Sequence, residues 1–179
     1  MQCKGRLVSV FVWSQVLIAI AIVFDIASFQ FKQRQQIVCC LCVSGILISV
    51  HFILLEQWTA AGLMMLASIR YLCSIFTTSK RLMSVFLLSA LIITAGTFSG
   101  LLSVLSFSAT LFQTTAAFCQ SDQRLRQLMI VGTSLWLVHN YLAGSPTAVL
   151  MEVLFIASNL LGYYRYYGVS LQVKKVAIE

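Results

Sequence analysis

The sequence predicts an all-α polytopic membrane protein: seven transmembrane helices that form two parallel three-helix bundles joined by an inversion linker helix. Three observations predict this class. The 179 residues are 60% hydrophobic and only 9% charged, against about 25% charged in an ordinary soluble chain. The apolar residues fall in runs of membrane-crossing length. The beginning and the end of the chain also repeat each other at a constant spacing.

Breaks at charged and turn-forming residues divide the chain into seven apolar spans, near the roughly 20 residues that cross a bilayer. Ser99 and Gly100 separate the fourth and fifth spans, since one merged span of 38 residues would be too long at any reasonable tilt. Ser145 is expected to cap the last helix, with Pro146 in its first turn. The predicted spans are Leu7–Phe29, Ile37–Leu55, Trp58–Thr77, Leu82–Phe98, Leu101–Cys119, Leu128–Ala143 and Pro146–Tyr164.

The basic residues predict the orientation. Seven spans place nine of them on one side, two (Lys4 and Arg6) on the other, and Arg70 inside the third span. Because cytoplasmic loops are rich in Lys and Arg, the N-terminus is expected outside and the C-terminus in the cytoplasm. The nine are Lys32, Arg34, Lys80, Arg81, Arg124, Arg126, Arg165, Lys174 and Lys175.

Several classes of function find no support in the residues. The net charge of +7 comes from short clusters between apolar runs, which does not suggest a nucleic-acid partner. The cysteines crowd one span at Cys39, Cys40 and Cys42 and match no zinc pattern, so we expect packing residues and no metal. There is no nucleophile motif or suitable acid pair, so neither an enzyme nor a cofactor is expected.

An internal repeat appears when the chain is shifted by 88 residues against itself. The most informative identities are Gln35 with Gln123, His51 with His139, and Thr59-Ala60 with Thr147-Ala148. The register covers three spans without a gap. It predicts a first three-helix repeat over 1–79, a linker helix over 80–99, a second repeat over 100–168, and a cytoplasmic tail over 169–179. One extra span restores the orientation of the second repeat, so the repeats are parallel.

This plan resembles those of the SWEET sugar facilitators and of the PnuC and other PQ-loop-like transporters. At finer grain the chain resembles the YgjV-type bacterial inner-membrane protein family over nearly its whole length. The residues that carry this resemblance are Val50-His51-Phe52, Ala67-Ser68-Ile69-Arg70, Val138 to Ser145, Met151-Glu152 and Asn159-Leu160-Leu161. The family resemblance implies a bacterial inner-membrane location. The SWEET-like plan implies facilitated movement of a small polar solute.

Polar residues within the spans are the candidate binding residues, because ionisable groups inside a membrane are costly. Symmetry about the turn at Ser145 and Pro146 places His139 level with Glu152. The resulting cavity is expected to open outward, and its candidate substrate-binding residues are Arg70, Trp136, His139, Asn140, Glu152, Asn159 and His51. Alternatively, His139 and Glu152 only satisfy each other within one bundle.

Arg70 also has two interpretations. It either faces the cavity opposite Asn159 and attracts an anionic or carbonyl-bearing solute, or forms a structural ion pair with Asp25. The leading functional hypothesis is a facilitator of a small polar metabolite, with no ATP-binding motif to power it. The alternative is a membrane receptor or partner protein that binds its ligand without transporting it. The residues do not predict an oligomeric state.

Overall fold

The computed structural model describes residues 2–28, 34–74, 76–77 and 79–168. Within these ranges the chain forms seven α-helices and no strand. A π-helical turn, Tyr164–Gly168, follows the last helix. The helices are α1 (Gln2–Ser28), α2 (Arg34–Leu54), α3 (Trp58–Ser74), α4 (Lys80–Gly96), α5 (Leu101–Ala117), α6 (Asp122–Leu142) and α7 (Pro146–Tyr163).

These helices confirm the all-α class and the number of elements. The largest difference is at α6, which begins at Asp122 and not at Leu128. Hydropathy missed this first turn and a half because its charged and amide side chains are good helix formers that interrupt the apolar run. The tail over 169–179 and the basic residues Lys32, Lys174 and Lys175 lie outside the described residues.

Six of the helices form a closed ring. α1 packs on α2, α2 on α3, α3 on α5, α5 on α6, α6 on α7, and α7 back on α1. α4 lies outside the ring, against α3 and α5. Two contacts in the ring join helices of different predicted repeats. We call them the α3/α5 seam and the α1/α7 seam.

Polarity is distributed as in a membrane protein. Large apolar side chains are exposed on the outside, including Val23, Ile92 and Leu161, whereas Arg70, His51, His139, Asn140 and Glu152 are buried. Among the described residues, Ser9–Ala27 and Pro146–Tyr163 are long and apolar enough to cross a bilayer. Helices α3, α4 and α5 have 17 residues each, which gives a length of about 26 Å against a hydrocarbon core of about 30 Å. Seven spans therefore stay a prediction.

The turn between α4 and α5 confirms the predicted break. α4 ends at Gly96 and α5 begins at Leu101, with Gly100 between them at φ 105°. A residue with a side chain is strained in that conformation, so glycine suits this turn.

The start of α7 departs from the prediction. Pro146 lies in the first turn as expected, but the Ser145 side chain makes no capping hydrogen bond. Instead, Gln15 Oε1 of α1 accepts from the Thr147 amide at 3.2 Å. A side chain from the opposite half of the ring thus satisfies an amide that α7 cannot satisfy itself, and the Ser145 hydroxyl makes other contacts.

Candidate functional site: a cavity inside the helix ring

A cavity of about 340 Å³ lies inside the ring. Its lining side chains come from α1, α2, α3, α5, α6 and α7, so all six ring helices contribute. They lie in the half of the bundle where α6 begins and α7 ends, which we call the Arg126 end. The opposite end, where α7 begins, is the Ser145 end.

The cavity lining follows the internal repeat. Twelve of its eighteen residues form six pairs separated by 88 positions. The pairs are Asp25 with Gln113, Leu41 with Met129, Gly45 with Thr133, Met64 with Glu152, Ala67 with Phe155, and Tyr71 with Asn159. Corresponding positions of the two halves thus face the same space.

A layer of packed side chains closes the Ser145 end. We call it the closing layer; it consists of Phe52, Trp136 and His139 with their neighbours His51 and Asn140. Phe52 of α2 stacks on Trp136 of α6 with ring centroids 5.6 Å apart. His139 meets the edge of both rings, with centroids 5.4 Å from Phe52 and 5.1 Å from Trp136. Phe52, Trp136 and His139 are at most 1% exposed. The three rings therefore separate the cavity from the turn that contains Ser145.

Hydrogen bonds around His51 connect the two halves in the same layer. His51 Nδ1 donates to the Ser14 carbonyl at 2.8 Å, since a carbonyl can only accept. In the neutral ring, Nε2 then accepts from the Ser145 hydroxyl at 3.2 Å. Gln15 Oε1 lies 3.3 Å from the same hydroxyl. Ser145 therefore contacts α1 and α2 at once, which explains why it does not cap its own helix.

At the Ser145 end, each seam has a hydrogen bond between residues at equivalent positions of the internal repeat. Thr59 of α3 lies 2.8 Å from Ser103 of α5, measured between the hydroxyl oxygens. The residues 88 positions away are Thr147 of α7 and Gln15 of α1, and these two are also bonded. Each seam thus has one polar contact at corresponding positions.

Glu152 connects the closing layer to the cavity. His139 Nδ1 donates to Asn140 Oδ1 at 3.4 Å, and Asn140 Nδ2 donates to Glu152 Oε1 at 3.3 Å. His139 is thus linked to Glu152 through Asn140. Glu152 is 4% exposed and lines the cavity, so its carboxyl group lies at the boundary between closing layer and cavity.

Arg70 lies on the α3/α5 seam, outside the cavity lining. Its Nη1 donates to Thr114 Oγ1 of α5 at 2.5 Å, and its guanidinium lies 5.3 Å from the Tyr71 ring centre. Arg70 Nε is buried without a hydrogen-bond partner. These contacts involve no carboxylate, so the Asp25–Arg70 ion pair stays a prediction. The positions equivalent to Arg70 and Thr114 on the other seam are Ser158 and Ile26, and an isoleucine side chain offers no polar atom.

The Arg126 end of the cavity carries a basic side chain. Arg126 lines the cavity near the start of α6, and its carbonyl oxygen accepts from Asn159 Nδ2 at 3.3 Å. Its guanidinium packs against Gly162 of α7, where a Cβ atom would overlap it. The absence of a side chain at Gly162 thus leaves room for the Arg126 guanidinium.

Comparison with known proteins supplies the class to which this ring belongs. A protein-family model described as a bacterial inner membrane protein, Imp-YgjV, matches residues 12–170. The chain belongs to this family. Membership confirms the resemblance carried by Val50-His51-Phe52 and the stretch from Val138 to Ser145, and places the protein in the bacterial inner membrane.

One relative is the inner membrane protein YgjV of Escherichia coli (strain K12). It is 29% identical over 148 residues, which cover 83% of this chain and 81% of the relative. No solved structure shows a significant match.

The structure brings only some of the predicted site residues to the cavity. Glu152 and Asn159 line it, as does Asp25, which the sequence analysis considered only as a structural partner. His51, Trp136, His139 and Asn140 are instead in the closing layer at the Ser145 end. The cavity therefore lies on the Arg126 side of those residues, whereas the sequence predicted a cavity lined by them. Packed rings occupy their position at the Ser145 end. The outward opening stays a prediction.

Sequence reasoning missed Gln113, Tyr71 and Arg126 as lining residues. The first two had a signal, because Gln113 is the repeat partner of Asp25 and Tyr71 that of Asn159. Arg126 was counted only as a residue of the cytoplasmic face. Its place in the lining depends on the packing of α6 against α7, which hydropathy does not reveal.

Proposed function

We propose that this family member moves a small polar solute across the inner membrane through the cavity inside the helix ring. The observation that supports the proposal best is the lining itself: six repeat-related pairs of residues face one cavity of about 340 Å³. A binding site at the interface of two parallel repeats is typical of transporters built in this way. A cavity of this volume suits a small metabolite, because ligand pockets range upward from about 300 Å³.

Closure at one end supports the same proposal. Alternating access requires a site that is shut on one side while the other side can exchange with solvent. The rings of Phe52, Trp136 and His139 shut the Ser145 end, and the lining lies toward the Arg126 end. With the orientation inferred from the basic residues, the closed Ser145 end faces outward and the cavity lies on the cytoplasmic side of the closing rings.

The two seams provide the parts that would move. Seven helices divided into 1–79, 80–99 and 100–168 give two three-helix units. Their ring helices pack along the α3/α5 and α1/α7 seams, and Phe52 and Trp136 also stack across the ring at the Ser145 end. Rocking of one unit on the other would break the contacts of His51 with Ser145 and of Gln15 with Thr147. It would also separate the Phe52 ring from Trp136 and His139. It would open the Ser145 end without disrupting either unit.

Solute flux into proteoliposomes tests the proposal. We expect the wild-type protein to accelerate uptake of at least one solute in a panel of amino acids, amines, sugars and organic acids. The Glu152→Gln variant should slow that uptake, whereas Glu56→Gln, the same change at an exposed turn residue, should leave it unchanged. No flux for any solute, together with ligand-dependent stabilisation, would favour the receptor hypothesis over transport.

A further inference from the structure

The charges around the cavity are distributed unequally between its two sides. Asp25 of α1 and Glu152 of α7 both line it and are 5% and 4% exposed. Their helices are neighbours across the α1/α7 seam, so both acids belong to one side of the ring. Their repeat partners on the other side, Gln113 and Met64, are uncharged.

The opposite side is next to a permanent positive charge. Arg70 is 2% exposed on the α3/α5 seam, and its neighbour Tyr71 lines the cavity. A guanidinium does not lose its proton in proteins. Charges in a low-dielectric interior act over longer distances than in water, so Arg70 makes the α3/α5 side of the cavity the less favourable side for a cation.

The other repeat has no acid at either position. Gln113 stands at the position equivalent to Asp25, and Met64 at the position equivalent to Glu152, so a three-helix unit of this plan forms without an acid there. Buried carboxyl groups cost free energy in a membrane unless a cation or hydrogen-bond donors compensate them. Glu152 has one such donor in Asn140. A carboxylate has two oxygens, each of which accepts more than one hydrogen bond. A ligand that carries donors and a positive charge can therefore bind both acids beside the partners they already have.

We propose that the cavity selects small solutes with a protonated amino group, which Asp25 and Glu152 hold on the α1/α7 side. This inference rests on the proposed function, since it names the class of solute that the same cavity takes. A carboxylate or carbonyl elsewhere on the solute is tolerated, because Arg126 also lines the cavity. The proposal replaces the expectation of an anionic solute, which depended on Arg70 facing the cavity.

Four probes of equal chain length separate the possible charge classes: 1-aminobutane, 4-aminobutyrate, butyrate and 1,4-butanediol. Binding is measured by the thermal stabilisation of the purified full-length protein in detergent, and flux by uptake into proteoliposomes. We expect both amines to stabilise the protein and both other probes to leave it unchanged. Each amine should then be transported.

Two variants localise the amino group. Asp25→Asn and Glu152→Gln keep the size of each side chain and should each weaken amine binding about tenfold or more, because a charge-assisted hydrogen bond is lost. Glu56→Gln should not change it. Equal melting temperatures without ligand would show that the variants are folded. If one of them is not, Gln113→Glu, which adds an acid on the other side, provides the second test by strengthening amine binding.

The outcomes separate this inference from the proposed function. Binding or transport of butyrate or 1,4-butanediol as strong as that of the amines would overturn the amino-group selectivity but leave transport standing. Amine binding without flux would support the selectivity and contradict transport. Amine binding that persists in the Asp25→Asn, Glu152→Gln double variant would show that these acids do not hold the amino group.

Discussion

Arg70 and Thr114 join the two halves of the ring, with the Arg70 guanidinium donating to the Thr114 hydroxyl at 2.5 Å. Arg70 is buried on the α3/α5 seam. The equivalent positions on the α1/α7 seam, Ser158 and Ile26, cannot reproduce this contact. The two seams therefore differ in their half nearer the Arg126 end: the α3/α5 seam has a hydrogen bond from an arginine, and the α1/α7 seam has no arginine at the equivalent position.

Thr114→Val is expected to destabilise the protein by about 1.5–3 kcal/mol, because it removes a hydrogen bond to a buried charged group. Arg70→Gln should have an effect of similar size, and the double variant should be less destabilised than the sum. Thermal unfolding in detergent measures all three. A neutral Thr114→Val together with an Asp25→Asn variant that copies Arg70→Gln would indicate the Asp25–Arg70 ion pair instead.

Ser145→Ala is expected to loosen the closing layer at the Ser145 end. It removes the hydroxyl that contacts His51 and Gln15, at a cost of about 1 kcal/mol, and should increase solute leak through proteoliposomes. Ser134→Ala is the matched control, because the Ser134 hydroxyl donates to the Ile130 carbonyl of its own helix. Equal leak from the two variants would show that Ser145 does not help to close this end.

Gly132→Ala is expected to destabilise the α5/α6 contact. An added Cβ would lie 2.8 Å from Gln113 Cγ and 3.1 Å from the Ala109 carbonyl oxygen, and such overpacking costs about 1–3 kcal/mol. Gly96→Ala meets no atom within 4 Å and should be neutral or slightly stabilising, since alanine favours helix by about 0.5–1 kcal/mol. Melting temperatures of the two variants test this; the reverse order would contradict the close approach at Gly132.

The C-terminus is expected in the cytoplasm and the N-terminus outside. A green fluorescent protein fused after residue 179 should fluoresce, because it folds in the cytoplasm, whereas alkaline phosphatase fused there should be inactive. A fusion in the turn between α6 and α7 should give the opposite pattern. Active phosphatase at the C-terminus would reverse the proposed orientation, because the Arg126 end would then face outward.

The sequence predicted several features that the structure confirms. The break at Ser99 and Gly100 was predicted from span length, and the turn there contains Gly100 with a positive φ. The family resemblance was read from short motifs around His51 and His139, and the family model confirms it. These predictions succeeded because hydropathy and turn chemistry are local properties of the chain.

The site could be predicted only in part. The shift of 88 residues marks equivalent positions, so a difference in polarity between partners, as at Met64 and Glu152, identifies a candidate functional residue. It does not say which way a side chain faces. Asp25 and Arg70 lie near the same level of the membrane in the sequence prediction, yet one lines the cavity and the other lies on a seam.

The sequence by itself determined the class of protein, the number of helices and the register of the repeat, because these depend on composition, run length and spacing. Only the tertiary structure decided that His139 and Trp136 close one end while Glu152 and Asp25 line the cavity. The order of helices around the ring made that decision. The surface that faces lipid is apolar, so polar side chains lie inside the bundle. Packing between the helices then decides whether such a side chain contacts another helix or lines the cavity.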